Sequence, residues 1–191
     1  MQPPTPRQLS RQTISAGKFL NFEAIKWLNA RGQERIWEMA SRTADTPAVM
    51  LIARLVPSRR LVLIRQYRPP ANARLIEFPA GLVDPAETPE QAAIRELREE
   101  TGYHGKVTRL FPPAYNTPGL SNESAYPVLL EIDERDPRNA NPTPTPDQDE
   151  QIDVVLVEPN GFSAFLREQD AAGARFDTKV VAYLLAAGDG Q

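Results

Sequence analysis

The sequence predicts an α/β fold preceded by a small antiparallel appendage. Three observations carry this. A capped helix spans Thr88 to Gly102. Strand-like apolar runs flank it, at 46–55 and 61–66 before it and at 106–111, 124–132 and 152–157 after it. Two further runs, 18–27 and 34–41, are joined by Asn29-Ala30-Arg31-Gly32, a hairpin signal with a longer loop. The 191 residues suffice for one domain with a substantial core.

In chain order, residues 1–15 are rich in Pro, Gln and Ser and predict a disordered tail. Arg7, Arg11 and Lys18 precede the first acid, Glu23, which faintly resembles a transit peptide. The prolines and the lack of an amphipathic pattern weaken that idea, and there is no apolar core of a secretory signal. Residues 16–44 form the β appendage and 45–191 the main domain. Within the latter, the first two strands turn at Pro57-Ser58. For the central helix, Thr88 is the N-cap, Pro89 the first helical residue and Gln91 the partner in a capping box. Gly102 is the left-handed terminator. His104, the only histidine, lies just past the helix end and reads as structural or exposed. Residues 133–150 are polar and Pro-rich, including NPTPTPDQDE, and predict a flexible linker. Two helices close the fold, about 161–169 capped by Asn160 and 178–187 capped by Asp177.

Composition excludes several classes. A net charge of −3 argues against a nucleic-acid surface. The absence of cysteine rules out disulfides, zinc–thiolate sites and cysteine nucleophiles, and fits a cytoplasmic chain. No apolar run approaches the ~20 residues that span a bilayer.

The central helix carries the chemistry. Glu96, Glu99 and Glu100 stand at i, i+3 and i+4, side by side on one face. Three like charges this close repel one another and raise their own pKa values. A solvated helix would alternate signs here. A divalent cation would neutralise the cluster, and hard carboxylate oxygens suit Mg²⁺, with Mn²⁺ as substitute. Ala93, Ile94, Leu97 and Thr101 form the adjoining stripe that packs on a sheet.

Gly81, then Glu87, then Arg95-Glu96-Leu97-Arg98-Glu99-Glu100-Thr101-Gly102-Tyr103 resembles the Nudix box, with every fixed position of the 23-residue pattern met. The resemblance implies an α/β/α sandwich with a mixed central sheet. It implies hydrolysis of a nucleoside diphosphate linked to another group, with Glu96, Glu99, Glu100 and the Ala80 carbonyl as metal ligands and Arg95 orienting a glutamate.

Three further stretches resemble the ADP-ribose pyrophosphatase branch of that family: RQYRPP followed by EFPAG; Pro118, sixteen residues after Gly102, with Gly119-x-x-x-Glu123; and the N-terminal appendage. That resemblance implies a homodimer whose appendage stacks aromatic residues on the adenine. Trp37 and Phe19 are the matching positions, with Glu38 beside Trp37. Arg42 would reach a phosphate or stack on the base, and Arg68 would clamp the diphosphate, with Glu77 as its pair. Leu82 and Thr117 join the substrate contacts, and Glu123 orders the loop or meets metal-bound water. Glu150, with Asp149 as the fallback, would act as or position the base, from a segment able to close as a lid. The expected reaction is Mg²⁺-dependent cleavage of ADP-ribose or a related ADP-sugar to AMP and ribose 5-phosphate. Another nucleotide sugar, an oxidised nucleotide, or a non-cleaving ADP-ribose sensor are the alternatives. No nucleic-acid or membrane partner is expected.

Overall fold

The computed structural model describes residues 4–44, 46–146 and 150–188. In chain order the elements are β1 (Arg7–Ala16), β2 (Leu20–Leu28), β3 (Glu34–Arg42), β4 (Ala48–Val56), β5 (Leu61–Arg68), β6 (Ala73–Glu77) and β7 (Ala80–Leu82). Helix α1 (Pro89–Thr101) follows, then β8 (Lys106–Leu110), β9 (Ala114–Tyr115), β10 (Ser124–Asp133) and β11 (Ile152–Val157). Helix α2 (Phe162–Ala171), β12 (Arg175–Phe176) and helix α3 (Thr178–Ala187) end the chain. Two compact units result. The first comprises residues up to Pro47 together with Pro113–Ala125, and the second comprises Ala48–Pro112 with Tyr126 onward.

The first unit is built on an antiparallel sheet in the order β1-β2-β3. The predicted hairpin is β2 and β3, with Ile25 opposite Trp37. Asn29 Oδ1 accepts from the backbone N–H groups of Arg31 (2.9 Å) and Gln33 (3.0 Å), which closes the turn. The predicted disorder over 1–15 does not hold for Arg7–Ser15, which are strand. All ten β1 side chains are exposed, so no burial pattern marked the strand. Main-chain pairing to β2 holds it, across two register shifts.

One ion pair reinforces that pairing. Arg11 Nε donates to the buried Glu23 Oε2 at 2.8 Å, and Thr13 Oγ1 lies 3.3 Å from Oε1. The Arg11 hydrogen bond, first among several causes, holds the Glu23 carboxyl below its ordinary 4.5. A depressed carboxylate contributes stability that is present above 4.5 and lost as pH falls through the lowered value. The sheet is therefore expected to loosen in acid below that range, and Glu23→Gln to flatten this dependence. Tryptophan fluorescence reports the sheet, because the chain's two tryptophans, Trp27 and Trp37, are both in it. An unchanged acid transition in Glu23→Gln would remove the pair from this role.

The second unit has a mixed sheet in the order β12-β6-β5-β4-β10-β8, with β11 on β5 and β7 on β4. β12 runs parallel to β6, whereas β5 and β6 are antiparallel. The run AVMLIARLV of β4 is apolar on both faces because both faces are covered. Val49, Leu51, Ala53 and Leu55 join Ala92, Ala93 and Leu97 of α1, with Val128, Leu130 and Ile132 of β10. Met50 and Ile52 point the other way, into the cluster of Leu61, Leu63, Ile76, Phe162, Val180 and Leu184, which includes α2 and α3. This is the predicted three-layer arrangement. Ile94, placed in the apolar stripe of α1, is 45% exposed and outside that contact.

Cap chemistry sets α1 as predicted. Gln91 N–H donates to Thr88 Oγ1 at 3.3 Å, and Thr88 N–H donates to Gln91 Oε1 at 2.9 Å. Gly102 ends the helix at φ 73°, its N–H donating to Arg98 O at 2.8 Å. Asp177 caps α3, accepting from Lys179 N–H at 2.7 Å. For α2 the expectation needs correction: the N-cap is Gly161, not Asn160, and it makes no side-chain bond.

The Pro-rich segment is tied down before Pro146. Buried Asn139 accepts from His104 N–H (2.7 Å) and donates through Nδ2 to the carbonyls of His104 (2.9 Å) and Asp133 (3.0 Å). His104 is thus structural, through its backbone. Thr145 N–H donates to Glu99 O at 2.8 Å. The linker reading fails over 139–145 because these bonds use main-chain groups and one amide, which composition does not register.

Candidate active site

The site of the second unit is built around Arg95. Its Nε and Nη2 grip Glu87 Oε1 and Oε2 at 2.9 Å each. Its Nη1 donates to Glu96 Oε1 at 2.7 Å and to Glu99 Oε2 at 3.1 Å, and Nη2 also reaches the Leu82 carbonyl at 2.9 Å. The two-point grip fixes the guanidinium plane, and the guanidinium in turn fixes two carboxylates of the cluster. Glu87 lies just before the helix, where Asp84 N–H donates to its Oε2 at 3.3 Å.

Glu100 is the deepest member, 3% exposed. Its Oε2 accepts from Ala80 N–H at 2.9 Å, where β7 passes the helix. Burial first, then the charge of Glu96, pushes its carboxyl up to about 9; the Ala80 bond and Arg68 work the other way. Glu96 is also raised, by burial above all, against the pull of Arg95. Gly81 makes room for it: a Cβ built there would fall well inside van der Waals contact of the Glu96 carboxyl carbon and both oxygens.

Arg68 and Glu77 stand at the same cluster. Arg68 Nη2 donates to Glu77 Oε2 at 2.7 Å, and Nε to the same oxygen at 3.0 Å. Glu77 is buried, whereas the Arg68 side chain is 41% exposed, so the pair holds a guanidinium at the surface by one edge. Glu150 belongs to the same field: its charge acts on Glu96, Glu100 and Arg68. Asp149 lies outside the described residues.

The donor set fits a hard divalent cation by its chemistry. Buried carboxyls lifted by burial and by one another regain their charged forms when a cation enters. No group of three acidic or histidine side chains among the described residues stands in a ready-made cage. Arg95 Nη1 instead bridges Glu96 and Glu99.

The first unit holds the remaining candidates. Trp37 is half exposed, meets Trp27 edge-on at 6.5 Å between centroids, and donates through Nε1 to Gly119 O at 3.2 Å. Both rings, with Met39, Tyr115, Pro118 and Asn122, line a pocket of about 470 Å³. Phe19 is 68% exposed beneath the Lys18 ammonium, 4.8 Å from its centroid, and is not in that lining. Glu38 is exposed on β3. Arg42 Nε donates to Glu123 Oε1 at 2.7 Å, so this arginine is held by the loop acid. Asn116 Nδ2 reaches Glu123 Oε2 at 3.2 Å, which makes Glu123 an organiser of its loop. Thr117 is exposed, its carbonyl accepting from Leu120 and Ser121 N–H at 2.9 Å each. Sequence reading missed Trp27 and Tyr115. Trp27 was findable, because it lies two residues beyond Ile25, the partner of Trp37, and so shares its face.

The three-layer fold matches a solved structure, the crystal structure of an ADP compounds hydrolase, with a TM-score of 0.70 and 22% identity over 97% of this chain and 93% of that one. A family profile for the NUDIX domain matches residues 45–179. The ADP-sugar pyrophosphatase of Mus musculus is 37% identical over 188 residues, 93% of this chain and 85% of the relative. The ADP-ribose pyrophosphatase of Saccharomyces cerevisiae is 33% identical over 85% of this chain and 74% of the relative. The chain belongs to the Nudix hydrolase family. No helix among the described residues is long and apolar enough to cross a membrane.

Proposed function

We propose that the chain hydrolyses the pyrophosphate bond of ADP-ribose or a related ADP-sugar, giving AMP and the sugar phosphate, ribose 5-phosphate for ADP-ribose. The observation that carries this is the buried Glu100 beside Glu96, ordered by Arg95 and flanked by the surface guanidinium of Arg68. The names of the mouse and yeast relatives support the substrate class.

Glu96, Glu99, Glu100 and the Ala80 carbonyl would hold Mg²⁺, or Mn²⁺ in its place. When bound, such ions neutralise a diphosphate, activate water and stabilise the charge of an in-line displacement. The protein's own groups have separate tasks. Arg95, gripped by Glu87, holds Glu96 and Glu99 in position. Arg68, braced by Glu77, clamps the diphosphate. Glu150 accepts the proton of the attacking water or orients that water. Water oxygen joins one phosphorus, the P–O bond to the bridging oxygen breaks, and two phosphate monoesters leave.

The pocket of Trp27, Trp37 and Tyr115 receives the adenine. Base–aromatic stacking contributes about 1–3 kcal/mol. Trp37→Ala is therefore expected to raise KM roughly five- to hundredfold with kcat little changed. A fall in kcat alone would remove Trp37 from binding. Exposed apolar residues on the same unit, Leu9, Ile14, Phe22 and Ile36, support a homodimer through this sheet. The deciding experiment is ADP-ribose hydrolysis with excess Mg²⁺, with and without EDTA, followed by AMP release. AMP that appears only with metal supports the proposal. Cleavage of another nucleotide instead would replace the substrate, and tight ADP-ribose binding without AMP would replace the function by sensing.

A further inference from the structure

The sheet of the second unit has a basic cleft on its other face. Alternation places Arg68 of β5 on the α1 face and Arg65 on the α2–α3 face. Arg74 of β6 is paired with Tyr67, two residues beyond Arg65, so it shares the Arg65 face. These two, with Arg175 of β12, line a cleft of about 860 Å³.

Its charge is poorly balanced. Arg74 Nη2 meets Asp153 Oδ2 at 2.6 Å, with both side chains about half exposed. Arg65 Nη2 donates to Gln169 Oε1 at 2.5 Å, a neutral acceptor. Arg65 Nε is buried with no hydrogen-bond partner among the described residues. For Arg175, the hydrogen bond seen is from Nη1 to the adjacent Ala174 carbonyl at 3.3 Å. Among the described residues, the carboxylate paired with these three guanidiniums is that of Asp153, on Arg74. A buried N–H left unpaired is uncommon enough to call for an explanation, and a water or an anion in the cleft would supply one. Small residues keep the cleft open: Ala73 and Gly173 line it, and a Cβ built on Gly173 meets nothing within 4 Å.

The geometry points to a second anion site, separate from the carboxylate cluster, in which Arg65, Arg74 and Arg175 bind a phosphate monoester. Guanidinium forks match phosphate oxygens two at a time. The volume exceeds what a bare phosphate fills and lies in the range of small-ligand sites, which leaves room for an organic group. Inorganic phosphate presents the same oxygens, so both are probes.

The test is calorimetric titration of the full chain in EDTA at fixed ionic strength, with ribose 5-phosphate and separately with sodium phosphate. Saturable binding is expected. Arg74→Ala/Arg175→Ala, two exposed positions whose loss should leave far-UV circular dichroism unchanged, is expected to weaken it by roughly tenfold or more. Arg65→Lys keeps the charge but loses the fork and should also bind less tightly. Arg68→Ala should bind like wild type. Tighter binding of the sugar phosphate supports a monoester site. Equal binding of both probes would make it a site for the free anion and overturn the monoester assignment. No saturable binding, or loss only in Arg68→Ala, would overturn the second site, whatever the fate of the hydrolysis assay.

Discussion

Glu100→Gln is expected to lower turnover by roughly 10²- to 10³-fold, the range seen when one preorganised electrostatic group is removed from a catalytic site, while the protein melts at or near the wild-type temperature. Both halves follow from position. The side chain is 3% exposed, and burial already lifts its carboxyl to about 9, so near neutrality the metal-free fold carries the uncharged form. The amide has the same shape, carries no charge to bury, and can still accept from Ala80 N–H. What it lacks is the anionic oxygen that a hard cation requires. The check is kcat at saturating ADP-ribose and Mg²⁺, beside a thermal melt. Near-normal turnover would take Glu100 out of the metal site. A large loss of melting temperature would make it a folding residue instead.

Gly81→Ala is expected to cost about 100-fold in kcat/KM, the scale on which a displacement of about 1 Å at a catalytic group is felt. The new methyl would occupy the place of the Glu96 carboxylate. All three nearest atoms belong to the far end of a flexible side chain, so the backbone can stay and the carboxylate must leave. Arg95 Nη1 then loses its 2.7 Å partner. A cycle makes the cause visible: Gly81→Ala added to Glu96→Ala should do little further harm, because the displaced group is already gone. Additive losses would point to a different fault, such as a shifted β7.

Much of the second unit was legible because its signals are local. Thr88, Pro89, Gln91 and Gly102 each specify one backbone state, and they set both ends of α1. The i, i+3, i+4 spacing then fixes which carboxylates share a face. β4 and β5 were readable from apolar runs buried on two sides. The illegible parts are held by main-chain bonds. β1 buries no side chain, and β7 is three residues long on the edge of β4. The arginine hub was only half visible. The resemblance implied that Arg95 orients a glutamate, but the grip on Glu87 depends on how the 81–88 loop returns to the helix. Arg42 was read as a contact to phosphate or base, and its bond to Glu123, 81 residues away, left no local signal. Asn160 lost to Gly161 as the cap of α2 within a one-residue ambiguity.

The bond from Thr145 to the end of α1 gives the chain a fixed point shortly before Glu150, and β11 gives it another just after. Glu150 is five positions past Thr145, so a fully extended chain would put its Cα at most about 17 Å from that anchor, and two residues on, Ile152 is fixed in β11. A group tied this closely on both sides is confined to a small volume, and as the proposed base its effective concentration at the cluster would be roughly in the millimolar range or above. Lengthening the span between Thr145 and Glu150, rather than altering the acid, would dilute it: each glycine inserted there should slow the reaction further, and an unchanged rate would remove Glu150 from the reaction.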